Sequence, residues 1–195
     1  MCSLVAPNCQ YRYSFLEGAA EFQEQGRLDS TYAVYLGYNL QSLHQRFSQF
    51  IRDLNALGDK SRIGSGSYVD IVFWMLANEE YVGQVSLRAE LSTNFLIQFG
   101  GHIGYSIRPT KRRCGYGENS LALALDQASE LGLHKVLVTC DSDNVASRKI
   151  IERNGGAFEC AMPMEANAFR AEGRILCDNV KKLRYWIDLT PLKAG

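Results

Sequence analysis

Residues 104–117 combine the side chains and the spacing that bind a phosphate. Three consecutive cations at 111–113 precede two glycines, Gly115 and Gly117, which are separated by one residue. Apolar side chains then recur at helical spacing. The first amides of a helix have no partner within it, and the helix dipole adds positive charge there. Because glycine lets the backbone approach an anion and adopt a positive φ, the pattern predicts a strand, a basic glycine loop and a helix that bind a pyrophosphate.

Two other phosphate loops fit this stretch less well. A Walker loop needs Gly-x-x-x-x-Gly-Lys-Ser/Thr, which the sequence lacks. The dinucleotide fingerprint needs a third Gly or Ala, and this chain has Ser120 there. The two glycines alone are also compatible with an ordinary turn between a strand and a helix.

The longer motif is more specific. The string Arg112-x-x-Gly115-x-Gly117 resembles the coenzyme A pyrophosphate loop of the GNAT N-acetyltransferases, which reads Arg/Gln-x-x-Gly-x-Gly/Ala. Downstream, Asn144-x-x-Ser147 and the following apolar residues resemble the next helix of that family. The resemblance is clear over about residues 81–160 and is faint in the first 60 residues.

This resemblance implies a fold. Hydrophobic patterns alone indicate an α/β protein with a mixed sheet. The GNAT resemblance implies an acyl-CoA N-acyltransferase fold, in which a central twisted mixed sheet is flanked by helices and splays after the 102–108 strand.

The resemblance also implies acetyl-CoA as cofactor, bound in that splay, and coenzyme A as product. It assigns the pantetheine arm to the main chain of Tyr105, Ser106, Ile107 and Arg108. It assigns the pyrophosphate to the loop residues Arg112, Arg113, Cys114, Gly115, Tyr116 and Gly117. It places Asn144 against the arm and Ser147 nearby, although Asn144 could instead satisfy the backbone at the start of its helix.

The implied reaction is direct transfer of an acetyl group to an amine. An amine attacks only when neutral, and a lysine-like ammonium has a pKa of about 10.4, so a base must remove its proton. The thioester oxygen needs a preorganised donor, which the resemblance assigns to a backbone amide of the 102–108 strand. An acid should then protonate the departing thiolate.

The sequence departs from the family at the usual acid. Many members carry a tyrosine seven residues after the helix asparagine, where this chain has Ile151. Tyr185 is the substitute candidate, with packing in a strand as the competing interpretation. Glu90 and His102 are the candidate bases, Glu90 because it shares a polar strand face with Arg88, and His102 because imidazole titrates near neutral pH.

Composition narrows the function classes. The chain has 195 residues and a formal net charge of zero, whereas nucleic-acid-binding domains usually carry a basic excess. The six cysteines form no Cys-x-x-Cys motif and the three histidines are not at ligand spacing, so we expect no bound metal. No signal-peptide pattern occurs, and no apolar run approaches the roughly 20 residues that span a bilayer. We therefore expect a cytoplasmic protein without nucleic-acid or membrane partners.

Periodicity predicts the order of the elements. The first half reads as a strand at 3–6, helices at 13–25 and from Leu40 to about Gly58, and a hairpin of strands 69–77 and 81–90. The second half reads as a strand at 102–108, a helix after Gly117, a buried strand at 135–140, a helix capped by Asp143 and ended by Asn154-Gly155, and strands at 157–163 and 180–189. The segment 164–178 stays unassigned.

The chain is predicted to form a single domain, residues 1–195. Within it, residues 1–60 form a helical region that lines the acceptor, residues 69–160 form the hairpin and the acetyl-CoA core, and residues 161–195 form C-terminal strands. The tyrosines of the first region, Tyr32, Tyr35 and Tyr38, belong to this acceptor wall by resemblance. The acceptor stays open between a small-molecule amine and a peptide amine, and so does a homodimer.

Three other functions remain open at this point. A catalytically silent acyl-CoA-binding or sensing module on the same fold would explain Ile151. A nucleotide-binding α/β protein would bind ATP or NAD in preference to coenzyme A. An interaction domain would bind no phosphate at the glycine loop.

Overall fold

The computed structural model describes residues 2–62, 68–163 and 180–189. In this part of the chain, seven strands form one mixed sheet. The strands are β1 (Cys2–Val5), β2 (Ile71–Ala77), β3 (Glu80–Leu87), β4 (Ile103–Ile107), β5 (Lys135–Asp141), β6 (Ala157–Pro163) and β7 (Lys181–Asp188). The helices are α1 (Arg12–Glu24), α2 (Leu40–Gln45), α3 (Phe47–Ala56), α4 (Tyr116–Glu130) and α5 (Val145–Arg153). The predicted α/β fold is confirmed, and the segment 164–178 lies outside the described residues.

The two faces of the sheet pack against different helices. On β3, Val85 and Leu87 lie in one apolar cluster with Leu121 of α4. On β2, Trp74 lies in a second cluster, where its ring stacks on that of Phe15 of α1 with centroids 4.5 Å apart. Because side chains alternate along a strand, Ser86 faces the side of the sheet on which α1 packs. Val85 and Leu87 face the side on which α4 packs.

The prediction of one helix from Leu40 to about Gly58 was wrong. Two helices, α2 and α3, meet at Arg46, whose φ of −126° and ψ of 36° are not helical. The side chain of Arg12 donates through Nη2 to the carbonyl of His44 (2.8 Å). In a continuous helix this carbonyl would accept from the amide of Ser48. A contact from α1 therefore stabilises the break, and apolar periodicity carries no sign of it.

The boundaries of α5 differ from the prediction at one end. Asn144, rather than Asp143, is the N-cap, and its Oδ1 accepts a hydrogen bond from the amide of Ser147 (3.0 Å). At the other end Gly155 has a φ of 84°, which confirms the predicted left-handed glycine after the helix.

The sheet is open between β4 and β5. The strand order is β1-β2-β3-β4-β5-β7-β6, and β4 runs parallel to β5 through the connection made by α4. Along their described lengths these two strands pair at one position, Ile103 with Val138. Beyond it they separate toward their carboxyl ends. This gap is the predicted splay, and it is followed on one side by the glycine loop and on the other by the start of α5.

No helix within residues 2–62, 68–163 and 180–189 is long and apolar enough to cross a membrane.

Candidate active site

The edge of β4 that borders the gap presents main-chain groups of two residues. The amide of Arg108 donates to the carbonyl of Val82 on β3 (2.9 Å). Because bonded pairs alternate along an antiparallel ladder, Ser106 shares that orientation, whereas the main-chain groups of Tyr105 and Ile107 point into the gap. Of the four residues predicted to bind the pantetheine arm through their main chain, Tyr105 and Ile107 therefore have the required orientation, and Ser106 and Arg108 do not.

The glycine loop ends in a set of free amides. Gly115 is the N-cap of α4 and has a φ of 80°, so it needs the freedom of glycine as the sequence predicted. The backbone amides of residues 113–118 donate to no acceptor among the residues that the structure describes. These six amides precede or begin a helix of 15 residues, so the helix dipole adds positive potential to them. The arrangement suits an anion.

The side chains of the loop have different surroundings. Arg112 is held in place, since its Nε donates to the carbonyl of Ile107 (3.2 Å) and its Nη1 to Oε1 of Gln25 (2.9 Å). Arg113 has a φ of 63°, and the side chains of Arg113 and Cys114 are exposed. Charge and main chain are therefore both open to a ligand on the outer side of the loop.

Two residues of the motif also serve the packing of α4. Tyr116 packs against an apolar cluster that contains Met75 and Val82. A Cβ added at Gly117 would lie 2.6 Å from Cδ1 of Ile150 on α5. The small size of Gly117 is thus required where α4 approaches α5, in addition to any role toward a ligand.

The far side of the gap is bridged by two hydroxyl groups. Tyr105 on β4 and Ser147 on α5 are hydrogen-bonded, with 2.7 Å between Oη and Oγ. Burial raises the pKa of Tyr105 to about 12, so its hydroxyl stays protonated at neutral pH. Asn144 uses its Oδ1 to cap α5, and its side chain is exposed. Tyr105, Asn144 and Ser147 are therefore brought together at the gap, and their contact with the arm stays a prediction.

The structure does not bring the three predicted catalytic residues together. Glu90 follows β3, and its side chain is 72% exposed and lies 3.4 Å from Nζ of Lys60. Tyr185 is buried on β7, and its hydroxyl donates to Oε1 of Glu152 (3.3 Å). Among the described residues, no hydrogen bond joins Glu90, His102 and Tyr185. Their catalytic roles stay predictions.

His102 is held as a structural group at the start of β4. The backbone amide of Leu137 donates to its Nδ1 (2.8 Å), and its own amide donates to the carbonyl of Leu137. Burial lowers the pKa of His102, and the charge of Arg88 lowers it further. Because Nδ1 accepts a hydrogen bond, the neutral ring carries its proton on Nε2 and has no free lone pair. This geometry disfavours His102 as the base.

A buried polar cluster, which sequence patterns did not reveal, lies on the other face of the sheet at the start of β4. Oδ2 of Asp70 accepts from the hydroxyl of Tyr32 and from Nη2 of Arg88 (3.1 Å), and the same Nη2 donates to Oγ of Ser86 (3.0 Å). The side chains of Arg88 and Asp70 are 10% and 4% exposed. A Cβ added at Gly104 would lie 2.9 Å from Oγ of Ser86, so β4 packs directly against this cluster. We call it the acceptor-end cluster, because the loop that carries the tyrosines predicted to line the acceptor joins it.

The acceptor-end cluster anchors the tyrosine-bearing loop to the sheet. Burial, and then the charge of Asp70, raise the pKa of Tyr32 well above its usual value, so the phenol stays neutral and donates. Two residues earlier, the carbonyl of Ser30 accepts from Gln84 (2.7 Å) and from Ser106 (2.9 Å). The loop therefore crosses β3 and β4 beside the gap. The only sequence signals were the tyrosines themselves and an acidic residue at position 70.

The sequence of the chain matches a known protein family. The model of the acetyltransferase (GNAT) domain matches residues 22–157. No curated protein sequence matches the chain.

Solved structures share the fold. An acetyltransferase from Salmonella typhimurium that modifies the N-terminal serine of a 50S ribosomal subunit protein is 15% identical, with 96% of this chain and 94% of that chain covered and a TM-score of 0.62. The microcin C7 self-immunity acetyltransferase MccE, in complex with acetyl-CoA and AMP, is 13% identical over 96% and 92% of the chains, with a TM-score of 0.63. RimJ from Mycobacterium smegmatis, in complex with CoA-disulfide, is 16% identical over 96% and 81%, with a TM-score of 0.64.

Proposed function

The chain belongs to the GNAT acetyltransferase family, and we propose that it transfers the acetyl group of acetyl-CoA directly to an amine, with coenzyme A as product and without a metal. The observation that carries the proposal is the run of free amides at residues 113–118, placed where the gap between β4 and β5 opens. An anion site beside a gap lined by main-chain groups matches a ligand made of a pyrophosphate and an extended polar arm.

Different residues of the chain would bind different parts of acetyl-CoA. The amides of residues 113–118, with the cations of Arg112 and Arg113, would hold the pyrophosphate. The main-chain groups of Tyr105 and the amide of Ile107 would hold and orient the arm along β4. Acetyl-CoA, when bound, supplies the acetyl group as an activated thioester. A main-chain amide of β4 that faces the gap would stabilise negative charge on the thioester oxygen.

The proton donor is proposed to be the hydroxyl pair of Tyr105 and Ser147. The two groups are hydrogen-bonded at the gap, so a proton leaving Oγ of Ser147 can be replaced from Oη of Tyr105. The position of the family's usual tyrosine, Ile151, is fully buried in the core that includes α4. Tyr185 lies in that core and donates to the exposed carboxylate of Glu152, which makes it a weaker candidate than the pair.

The acceptor is proposed to be the N-terminal amine of a peptide or protein. One structural relative modifies an N-terminal serine. An α-amine has a pKa of about 7.7–8.0, against about 10.4 for a lysine side chain, so a far larger fraction is neutral at pH 7. Such an acceptor places a small demand on the base, for which the solvent-exposed carboxylate of Glu90 stays the candidate. The loop that carries Tyr32 and the exposed Tyr35 would form the wall against it.

The first test is a thermal-shift measurement with acetyl-CoA, coenzyme A, ATP and NAD in parallel. A ligand at 100 times its dissociation constant stabilises the native state by about 2.7 kcal/mol. We expect the two coenzyme A species alone to raise the melting temperature. A rise with ATP or NAD and none with the coenzyme A species would overturn the proposal.

The acceptor is tested by release of free thiol from acetyl-CoA. The panel contains a peptide with a free N-terminus, the same peptide with a blocked N-terminus and one internal lysine, and small primary amines. We expect turnover with the free N-terminus and little with the blocked peptide. Turnover of small amines alone would contradict the peptide acceptor and leave the acetyl transfer standing.

A further inference from the structure

One face of α1 is tied to the segment that leads into the glycine loop. Three side chains four residues apart form a row on this face, Glu17 and Glu21 of α1 and the C-cap residue Gln25. Residues at i and i+4 lie above one another on a helix, so the row, called here the α1 stripe, runs parallel to the helix axis. It contacts residues 108–112, the segment that joins β4 to the loop. The stripe belongs to the region whose sequence carried no motif.

Glu21 is the centre of the α1 stripe. One carboxylate oxygen accepts from Nε of Arg108 (2.7 Å), and the other accepts from the backbone amide of Thr110 (3.0 Å) and from its hydroxyl (2.9 Å). Burial alone would raise the pKa of Glu21, but the hydrogen bonds from Thr110 and Arg108 outweigh it and lower the pKa. The side chain is 18% exposed. Glu21 is therefore an ionised carboxylate that is stabilised by hydrogen bonds from Thr110 and by the charge of Arg108, which Glu17 and Glu80 also contact.

The two ends of the stripe extend the same contact. Gln25 accepts from Nη1 of Arg112 (2.9 Å), which orients the first arginine of the loop. Glu17 lies 3.3 Å from Nη2 of Arg108 but is 66% exposed, so its pairing is screened by water. The stripe thus holds three alternating residues, Arg108, Thr110 and Arg112, just before the free amides.

A carboxylate so near an anion site needs an explanation. By Coulomb's law alone, the negative charge of Glu21 disfavours a bound pyrophosphate. The same carboxylate is well suited to fixing the backbone. It accepts from the backbone amide and from the hydroxyl of Thr110, and so holds Thr110 in one conformation.

We propose that the α1 stripe, and Glu21 above all, is a positioning device that sets residues 108–112 so that Arg112 and the amides of residues 113–118 face the pyrophosphate of coenzyme A. This inference rests on the proposed function. It assigns to α1, a helix of the acceptor wall, a second role in preorganising the cofactor site.

The test compares two neutralised carboxylates on one helix by calorimetric titration with coenzyme A. Glu21→Gln neutralises the carboxylate at the centre of the stripe, whereas Glu24→Gln removes the same charge from an exposed residue. Positioning predicts that Glu21→Gln raises the dissociation constant about tenfold, and that Glu24→Gln leaves it unchanged or lowers it slightly. The sign separates positioning from simple charge, since charge alone predicts tighter binding in both.

A double-mutant cycle measures whether Glu21 and Thr110 are coupled in binding coenzyme A, and general destabilisation would not produce such coupling. If Glu21 and Thr110 act through one contact, Glu21→Gln combined with Thr110→Val should weaken binding no more than the stronger single change. Independent effects would add. Melting temperatures without ligand confirm folding, and if Glu21→Gln does not fold, Gln25→Ala replaces it, with an expected weakening of about threefold through release of Arg112.

The outcomes are distinguishable. Glu21→Gln binding coenzyme A as tightly as the wild type, or more tightly, overturns the positioning role and leaves the proposed function intact. Additive effects in the cycle overturn it as well. A wild-type protein that does not bind coenzyme A overturns both the positioning role and the proposed function.

Discussion

The two ends of β4 use polar groups in opposite ways. After its carboxyl end, the amides of residues 113–118 lack acceptors among the described residues and face solvent at the start of α4. At its amino end, called here the acceptor end, the buried Arg88 and Asp70 and the half-buried Tyr32 pair with one another, and His102 is fixed by Leu137. One end is open to a ligand, whereas at the other the side chains pair mainly with one another, although Oδ1 of Asp70 and Nε of Arg88 lack a hydrogen-bond partner among the described residues.

This difference shows two ways of building a site. The cofactor end relies on main-chain geometry from consecutive residues, so a ligand completes its hydrogen bonding. The acceptor end relies on contacts between residues that are 18, 38 and 56 positions apart in the sequence. We therefore expect changes at the cofactor end to alter binding of coenzyme A, and changes at the acceptor end to alter stability first.

Asp70→Ala has the largest expected effect. The change leaves the buried guanidinium of Arg88 without its carboxylate, and an uncompensated buried charge destabilises a protein by about 3–5 kcal/mol. Urea unfolding should show this loss in the free energy of unfolding. The matched control is Asp126→Ala, an exposed carboxylate on α4, for which we expect a change within about 0.5 kcal/mol.

The pairing is tested further by Asp70→Ala combined with Arg88→Met. This double variant removes both charges, so it should recover part of the stability that Asp70→Ala loses. If Asp70→Ala is as stable as Asp126→Ala, the acceptor end is not held by this ion pair, and the contrast between the two ends fails.

Gly115→Val should have the next largest effect, at the opposite end of β4. A β-branched residue is strained at a φ of 80°, and because nothing lies within 4 Å of an added Cβ, the effect arises from the backbone. We expect coenzyme A to bind about 100-fold more weakly in calorimetric titration, a change of about 2.7 kcal/mol. Gly115→Asn is the control, since asparagine tolerates the left-handed conformation and should retain most of the affinity.

Wild-type affinity in a folded Gly115→Val protein would show that the loop does not need its left-handed residue. The amides of residues 113–118 would then not be the anion site, and the two ends of β4 would not differ in the way described.

The same contrast explains what the sequence could predict. The glycine loop, α4 and β5 were predicted because local periodicity and glycine chemistry encode them. The break between α2 and α3 was not, because it depends on Arg12 reaching His44 across 32 residues. Local patterns report the conformation that a segment prefers, whereas a tertiary hydrogen bond can override it without leaving a pattern.

In the candidate site, too, residues with a local sequence signal were predicted, and residues that depend on distant contacts were missed. Gly115 was identified from a contiguous motif, and Tyr105 and Ser147 were assigned through the family resemblance that this motif and the segment after Asn144 carry. The bases were proposed from residue chemistry and predicted strand position, and neither could show that the amide of Leu137 occupies Nδ1 of His102. Glu21 was missed because no single-sequence pattern connects a helix to a loop 89 residues away.

His102 offers a smaller test of the acceptor end. His102→Ala removes the acceptor of a buried amide, which costs about 1–3 kcal/mol, whereas Asn can place Oδ1 near the position of Nδ1 and should retain most of the stability. The pKa of His102 is lowered below 6.5 in the folded protein, so its contribution is present above pH 6.5 and is lost as pH falls. Urea unfolding between pH 5 and 8 should show a steeper acid loss in the wild type than in His102→Asn.

A base role for His102 predicts a different result. Both variants would then lose activity by about 10²–10⁴, and His102→Asn would lose it without losing stability. That outcome would make the amino end of β4 a catalytic element rather than a structural one.

Tyr105→Phe should have the smallest effect on the free energy of unfolding, and it tests the middle of β4, where the two ends meet. Its hydroxyl contributes a hydrogen bond to Ser147 of about 0.5–1.5 kcal/mol. Burial raises the pKa of Tyr105 from 10.0 to about 12. A raised pKa stabilises the fold fully below the unfolded value, and this contribution is lost as pH rises through the folded value. The free energy of unfolding should therefore fall less steeply above pH 10 in Tyr105→Phe than in the wild type or in Ser147→Ala, which keeps the phenol. If the free energy of unfolding fell equally steeply above pH 10 in all three proteins, the phenol would be as hydrated as in the unfolded chain. The hydroxyl pair would then not bridge the gap.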